Sequence, residues 1–234
     1  MIPSPEASHP KSKITEIAYV LDRSGSMASL QEEAVSAFNE FLHEQTKVPG
    51  EARLTLVLFD DQYLAVHEAL PLQYVPELTA ATFVPRGSTA LLDAIGRTIK
   101  ELGERINRLP PKAQPAKVIV AVYTDGLENA STKYSSHHIA DLIRLHRESK
   151  GWEFLFLAAN QDAIATAASL HLDVALCANV SFTPKAMKST GMAFSRKVRA
   201  ARMKVSGTMD QQALNDDAAP MSSIMKEEEE KARE

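Results

Sequence analysis

The chain has 234 residues, of which 44% are hydrophobic and 24% are charged, and its formal net charge is −4. This composition is typical of a globular protein that buries a core, and no apolar stretch approaches the ~20 residues that cross a bilayer. The single cysteine, Cys177, excludes an internal disulfide and a thiolate zinc site. Residues 1–12 are rich in Pro and Ser and have no apolar signal-peptide core, so we expect a flexible lead and a cytoplasmic protein.

An apolar run in the first part of the chain stops abruptly at Asp22. Residues 17–21 are nearly all apolar, which predicts a buried parallel strand. Asp22, Ser24 and Ser26 then offer one carboxylate and two hydroxyls, and such oxygen ligands suit a hard divalent cation. Alternatively, Asp22 only ends the strand and a serine caps the next helix. Ser29 is the better candidate for that cap, because a glutamate follows it at the capping-box spacing.

A helix and a hairpin follow this loop. Residues 29–46 carry a helical apolar stripe, and residues 53–59 form a second predicted strand. Asp60 and Asp61 indicate a tight turn into residues 62–69, which we predict to be a strand at the sheet edge. Adjacent acidic residues in a turn are usually solvated, so we interpret this pair as a solvent-exposed turn.

Two later stretches add oxygen ligands. Thr89 precedes a predicted helix over residues 90–108, and Asp125 ends an apolar strand that begins at residue 117. Thr89 is either a simple N-cap or a hydroxyl that faces the Asp22 loop. Beyond Asp125, predicted helices and strands alternate to residue 178, which favours a doubly wound α/β fold: a mostly parallel sheet flanked by helices, with one antiparallel edge strand.

The motifs DRSGSM, GSTALLDAIG and TDGLENAS occur in this order in three separate loops. They resemble the von Willebrand factor type A domain, whose metal-ion-dependent adhesion site has the pattern Asp-x-Ser-x-Ser, then Thr, then Asp. The pattern falls on Asp22, Ser24, Ser26, Thr89 and Asp125, and the resemblance covers residues 13–180. The chain is most similar to compact intracellular members from bacteria or phages.

This resemblance implies a function in binding. Ser24, Ser26 and Thr89 would coordinate Mg²⁺ or Mn²⁺ directly, and the two aspartates directly or through water. Because few of these ligands are charged, the cation would stay electrophilic and could accept a carboxylate from a protein partner. Arg23 and Arg86 adjoin the motifs and could assist that carboxylate.

The sequence disfavours two classes of enzyme. A phosphotransferase of the haloacid dehalogenase type needs a second Asp where Ser24 stands. A serine hydrolase needs a Gly-x-Ser-x-Gly elbow, and neither Ser24 nor Ser26 lies in one. We therefore expect no catalytic activity, and a metal-dependent hydrolase is the less favoured alternative.

The charge pattern changes after the resemblance ends. Residues 181–206 carry basic and apolar residues at helical spacing. Residues 207–234 are acidic, so we expect no stable tertiary structure in the tail, with a short helix near Ser223 as the alternative. The apolar side of the basic helix either packs on the domain or docks a partner, nucleic acid or an acidic surface through residues 185–204. The net negative charge of the preceding domain opposes nucleic acid. Self-association through the tail is a further possibility, and no membrane partner is expected.

Overall fold

A β-sheet forms the centre of the protein. The computed structural model describes residues 12–125, 128–158, 168, 170, 174–179 and 184–231. The strands are β1 Thr15–Asp22, β2 Ala52–Phe59, β3 Tyr63–Pro71, β4 Lys117–Thr124, β5 Glu153–Ala158 and β6 Cys177–Asn179. Their order in the sheet is β3-β2-β1-β4-β5-β6, and β3 at one edge runs antiparallel to β2, whereas the other pairs are parallel. The predicted α/β class, with one antiparallel edge strand, is confirmed.

The position of β1 explains its unbroken apolar run. Leu21 pairs with Leu58 on β2 and with Tyr123 on β4, and all eight residues of β1 are buried. A strand with neighbours on both sides and helices on both faces has no solvent-facing side. Because β1, β2 and β4 are parallel, their carboxyl ends meet at one edge of the sheet. Asp22, Asp60 and Asp125 therefore come to the same edge.

Helices cover both faces of the sheet. They are α1 Gln31–Thr46, α2 Leu91–Arg108, α3 Ser136–Lys150, α4 Pro184–Ser206, α5 Gln211–Ala218 and α6 Met221–Lys231. On one face, the ring of Tyr19 lies 5.2 Å from that of Phe38 on α1 and 5.6 Å from that of Phe194 on α4. On the other face, Val20 shares a buried cluster with Ile95 of α2. Side chains of neighbouring β1 residues thus enter opposite cores, as strand geometry requires.

The basic segment predicted over residues 181–206 contains α4, whose apolar side packs on α1. Phe194 is 1% exposed, and Gln45 Nε2 of α1 donates a hydrogen bond to the main-chain oxygen of Ser195 at 2.9 Å. The buried Arg202 donates to main-chain oxygens just beyond the C-terminus of α1. Of the two alternatives, the structure has the one in which the segment packs on the domain.

The structure differs from the unstructured tail that the sequence predicts over residues 207–234. Helices α5 and α6 occupy most of it, and Met221 and Ile224 are fully buried, with Met225 6% exposed. These three residues have the i, i+3, i+4 spacing of one helix face. Acidic composition suggested solvation, whereas this short apolar stripe has a core to join.

The acidic tail also pairs with the basic helix. Arg196 Nη2 lies 2.5 Å from Asp216 Oδ1, and Arg196 Nη1 lies 2.7 Å from Glu228 Oε1. Lys197 Nζ donates to three main-chain oxygens at the end of α5, including that of Ala219 at 2.6 Å. Arg196 and Lys197 are therefore engaged within the chain.

Some predictions fall outside the described residues. They concern the lead at residues 1–11, most of the helix over residues 162–170 and the domain boundary at residue 180. The last strand is Cys177–Asn179 and is preceded by a 3₁₀ turn at Val174–Leu176, whereas the sequence predicts a strand over residues 174–178. In the part of the chain that the structure describes, no helix combines the length and apolar character needed to cross a membrane.

Candidate metal centre

The first loop of the candidate site is folded around Asp22. This residue ends β1 and is completely buried. Its Oδ1 accepts a hydrogen bond from Ser24 N at 2.7 Å, and its Oδ2 accepts one from Thr124 Oγ1 at 2.5 Å. The first bond bends the chain sharply after the strand, and the second ties β1 to β4. Asp22 therefore fixes where the following serines stand.

The hydroxyls of this loop form a chain that leads to Asp125. Ser24 Oγ lies 3.1 Å from Ser26 Oγ, and Ser26 Oγ donates to Asp125 Oδ1 at 2.9 Å. Ser24 and Asp125 are buried, whereas Ser26 is exposed. Four of the five predicted ligands are thus linked by hydrogen bonds, and the cluster opens to solvent on the side of Ser26.

The predicted serine cap of the next helix is wrong. A 3₁₀ turn at Gly25–Leu30 follows Ser24, and α1 begins only at Gln31. Leu30 stands at the N-cap and makes no side-chain capping bond, so Ser29 does not form the expected capping box. Ser26 lies in this turn, and its Oγ reaches Asp125 at the end of the sheet.

The second loop brings Thr89 beside the first. Gly87 O accepts a hydrogen bond from Gly25 N at 3.1 Å. Thr89 is 3% exposed, its N donates to Asn129 Oδ1 at 2.9 Å, and its O accepts from Asn129 N at 3.1 Å. Gly87 has φ +66°, a backbone conformation that favours glycine because it has no Cβ. Backbone contacts therefore join the second loop to the first at Gly87, and Thr89, two residues further on, is bonded to the third loop through Asn129.

Two carboxylates that the sequence analysis missed join the second loop to the third. Glu128 Oε2 accepts from Leu92 N at 2.8 Å, near the start of α2, and Glu128 Oε1 accepts from Ser131 N at 2.7 Å. From α2, Asp93 accepts hydrogen bonds from the main-chain N of Lys133 and Tyr134, both at 2.9 Å. Burial opposes the ionised form of Asp93, but these bonds outweigh it and lower its pKa. The third loop thus binds a free N–H group at the start of α2, and α2 binds free N–H groups of the third loop.

A third missed residue lies at the rim of the site. Asp60 is completely buried, so the interpretation of its turn as simply solvated is wrong for this residue. Its Oδ2 lies 3.0 Å from Arg23 Nε and 2.8 Å from Arg86 Nε. Asp61 beside it is exposed, as expected. A lone carboxylate buried between two arginines gave no signal in the sequence, because its partners are distant along the chain.

The electrostatics of the cluster favour a bound cation. Burial raises the pKa of Asp22 to about 6, against the opposing effect of its hydrogen bonds to Thr124 and Ser24. Burial also raises the pKa of Asp125, against the hydrogen bond from Ser26. Both carboxylates are therefore costly to ionise without a counter-charge nearby. A divalent cation between them would stabilise their ionised forms.

The arrangement of oxygen atoms fits a small hard cation. Mg²⁺ takes octahedral ligands at about 2.1 Å, which places adjacent ligand oxygens about 3 Å apart. The separations between Ser24 Oγ and Ser26 Oγ, 3.1 Å, and between Ser26 Oγ and Asp125 Oδ1, 2.9 Å, are those of hydrogen bonds and are compatible with that spacing. Among the described residues there is no group of three or more His, Cys, Asp or Glu side chains that could hold a metal. A cation in this cluster would therefore need hydroxyl oxygens among its ligands.

Comparison with known proteins finds solved structures with a similar fold. No family model and no curated protein matches the sequence. Among solved structures, mussel proximal thread matrix protein 1 with a zinc-occupied metal-ion-dependent adhesion site aligns at 14% identity and TM-score 0.54, over 80% of this chain and 46% of that one. A von Willebrand factor type A protein from Catenulispora acidiphila aligns at 17% and 0.52, over 81% and 43%. Manganese-loaded Plasmodium vivax TRAP aligns at 14% and 0.50, over 73% and 69%. The chain spans less than half of the first two, and these matches establish a shared fold.

Proposed function

We propose, from the von Willebrand factor type A fold of this chain, that the protein is a divalent-metal-dependent protein-binding module. Asp22, Ser24, Ser26, Thr89 and Asp125 hold Mg²⁺ or Mn²⁺, and a carboxylate of the partner completes the coordination. The observation that carries the proposal is the continuous chain from Ser24 Oγ through Ser26 Oγ to Asp125 Oδ1 at the carboxyl end of the sheet.

The residues of the site have separate tasks in this proposal. Asp22 shapes the loop and supplies negative charge at its base, while Ser24 and Ser26 present neutral oxygens above it. With only two charged ligands, the bound cation would keep enough Lewis acidity to attract a further anionic oxygen. Ser26 is exposed, so that oxygen can reach the cluster from solvent. Binding rather than catalysis is therefore the proposed activity.

The metal assignment has support from the structural neighbours. One is described with a zinc-occupied metal-ion-dependent adhesion site and another as manganese-loaded. For this chain we propose Mg²⁺ or Mn²⁺, because its candidate ligands are all oxygens, which hard cations prefer. A zinc site would more often include His or Cys.

Nucleic-acid or acidic-surface binding through residues 185–204 is the alternative, and it has less support. Arg196 is paired with carboxylates of the tail, Arg199 with Asp210, and Lys204 with Asp217. Among the α4 side chains that the structure describes, these three are already paired and are less available to phosphates. They also engage the tail within its own chain, which lessens the case for self-association.

The cytoplasmic location, the bacterial or phage origin and the absence of catalysis stay predictions of the sequence.

A pull-down from native lysate tests the proposed function. The baits are the wild-type protein in Mg²⁺, the wild-type protein in EDTA, and Asp125→Ala in Mg²⁺. Asp141→Ala is the matched control, because Asp141 lies on α3 with a 45% exposed side chain and pairs with Arg144. We expect one set of proteins captured only by the wild type and the control in Mg²⁺. Capture of the same proteins by all baits would contradict metal-dependent binding.

A further inference from the structure

Arg86 is held in a fixed orientation at the rim of the candidate metal centre. Its Nε donates to Asp60 Oδ2 at 2.8 Å, and its Nη2 donates to Gln62 Oε1 at 2.6 Å. Asp60 is itself fixed, because it is completely buried and its Oδ1 accepts from Gln62 N at 2.6 Å. A guanidinium bound at two of its nitrogens to a rigid support has lost most of its rotational freedom before any ligand arrives.

One edge of this guanidinium is available for a ligand. Nη1 of Arg86 has no hydrogen-bond partner in the described ranges, and the side chain is 49% exposed. Arg23 also pairs with Asp60, but its side chain is only 9% exposed. The two arginines thus differ in role. Arg23 neutralises the buried carboxylate, whereas Arg86 directs a cationic fork toward solvent.

The backbone places Arg86 directly beside the metal loop. Arg86 N donates to Arg23 O at 2.8 Å, and Gly87 O accepts from Gly25 N at 3.1 Å. These bonds join residues 86–87 to the segment between Asp22 and Ser26. A molecule bound at the exposed Ser26 would therefore lie near the Arg86 rim.

We propose that the partner presents two carboxylates, one for the metal and a second for the guanidinium of Arg86. This inference rests on the proposed metal-dependent function and specifies the partner as a di-acidic segment. Charge complementarity and the planar fork of arginine favour a carboxylate at the second position. Asp61 is exposed in the neighbouring turn and repels anions, so the attraction for a second carboxylate must come from Arg86.

Synthetic peptides capped at both ends test this inference. One peptide carries a single aspartate, and the others add a second aspartate one, two or three positions further along. Binding to the Mn²⁺-loaded full chain is followed by water-proton relaxation, which reports displacement of water from the metal. We expect the best-spaced second aspartate to tighten binding about tenfold, as for a charge-assisted hydrogen bond.

Substitutions assign that gain to Arg86. In Arg86→Gln the gain, taken as the ratio of the affinities of the two peptides for the same Mn²⁺-loaded variant, should fall below about twofold. Arg86→Lys keeps the charge without the fork and should retain part of the gain. Arg97→Gln is the matched control, since Arg97 is also 49% exposed and its Nε contacts Glu101 at 2.7 Å. It should keep the full gain.

The outcomes separate this inference from the function on which it rests. If the single-aspartate peptide binds with metal but no second aspartate helps, the Arg86 assignment is overturned and the proposed function stands. A gain that persists in Arg86→Gln overturns it equally. If even the single-aspartate peptide fails to displace water from the loaded site, the proposed carboxylate binding fails, and the Arg86 inference falls with it.

Discussion

Truncating Ile224 should reveal whether the acidic tail belongs to the core. Ile224 on α6 is fully buried in the cluster that also contains Tyr19 of β1 and Phe194 of α4. Replacing a fully buried Ile by Ala removes its transfer free energy and leaves a cavity, so Ile224→Ala should lower the free energy of unfolding by about 2–5 kcal/mol. For a chain of this size, each kcal/mol corresponds to a melting temperature change of about 2–4 °C.

The control for this substitution lies on the neighbouring helix. Leu214 on α5 is 51% exposed, so Leu214→Ala should change the free energy of unfolding by no more than about 0.5 kcal/mol. Urea denaturation and thermal melting, both followed by circular dichroism, compare the two variants with the wild type. Equal and small effects of Ile224→Ala and Leu214→Ala would refute the packing of α6 on the domain.

The same reasoning predicts the effect of deleting the tail. Met221, Ile224 and Met225 each contribute about 1.5–3 kcal/mol by burial, and their sum is comparable to the whole stability of a typical domain, about 5–15 kcal/mol. Deleting residues 207–234 should therefore strongly destabilise the chain. An unchanged melting temperature would support the unstructured tail expected from composition alone.

Two further predictions concern single side chains. Burial raises the pKa of Glu16 despite its ion pair with Arg105, so folding disfavours its charged form. Glu16→Gln should therefore raise the free energy of unfolding at neutral pH. This advantage should vanish below pH 4.5, because Glu16 is then protonated in the unfolded chain as well as in the folded one. Urea denaturation at neutral pH and below pH 4.5 measures the difference between variant and wild type, and the same difference at both would contradict the prediction. Asn129 accepts from Thr89 N, so Asn129→Ala should weaken Mg²⁺ binding about tenfold in calorimetry with little change in melting temperature. Asn129→Asp, which keeps the acceptor, should not; equal affinity in all three proteins would dismiss this role.

The sequence was most informative where one element carries the whole signal. The apolar run before Asp22 indicated a buried parallel strand, because β1 has neighbours on both sides and no exposed face. The alternate placing of Asp22, Ser24 and Ser26 indicated a cation site for the same reason, since a single loop presents all three. In the structure, Ser24 N bonds Asp22 Oδ1 and Ser24 Oγ lies 3.1 Å from Ser26 Oγ, while cation binding by these residues stays a prediction.

Residues whose roles depend on distant partners could not be found in this way. Asp60 is buried only because Arg23 and Arg86 converge on it from two other loops. Glu128 stabilises the start of α2, whose N–H groups are far from it in sequence. Nothing in local spacing distinguishes such carboxylates from solvated ones.

The C-terminal tail shows a different limit. The spacing of Met221, Ile224 and Met225 was visible in the sequence, but the run of four glutamates beside it suggested disorder. The glutamates do not prevent folding, since Glu228 pairs with Arg196 on α4. Composition describes a segment in isolation, whereas α6 is stabilised by the surface on which it packs.

Calorimetric titration of Mg²⁺ into the purified protein tests the central claim most directly. Wild type, Asp125→Ala and the control Asp141→Ala are compared at neutral pH. Since loss of even an outer-sphere partner costs a metal site about 10- to 100-fold in affinity, Asp125→Ala should lose at least about tenfold while the control matches the wild type. All variants should keep the wild-type circular dichroism spectrum. Equal affinity of the three proteins for Mg²⁺ would contradict a metal centre built on Asp125.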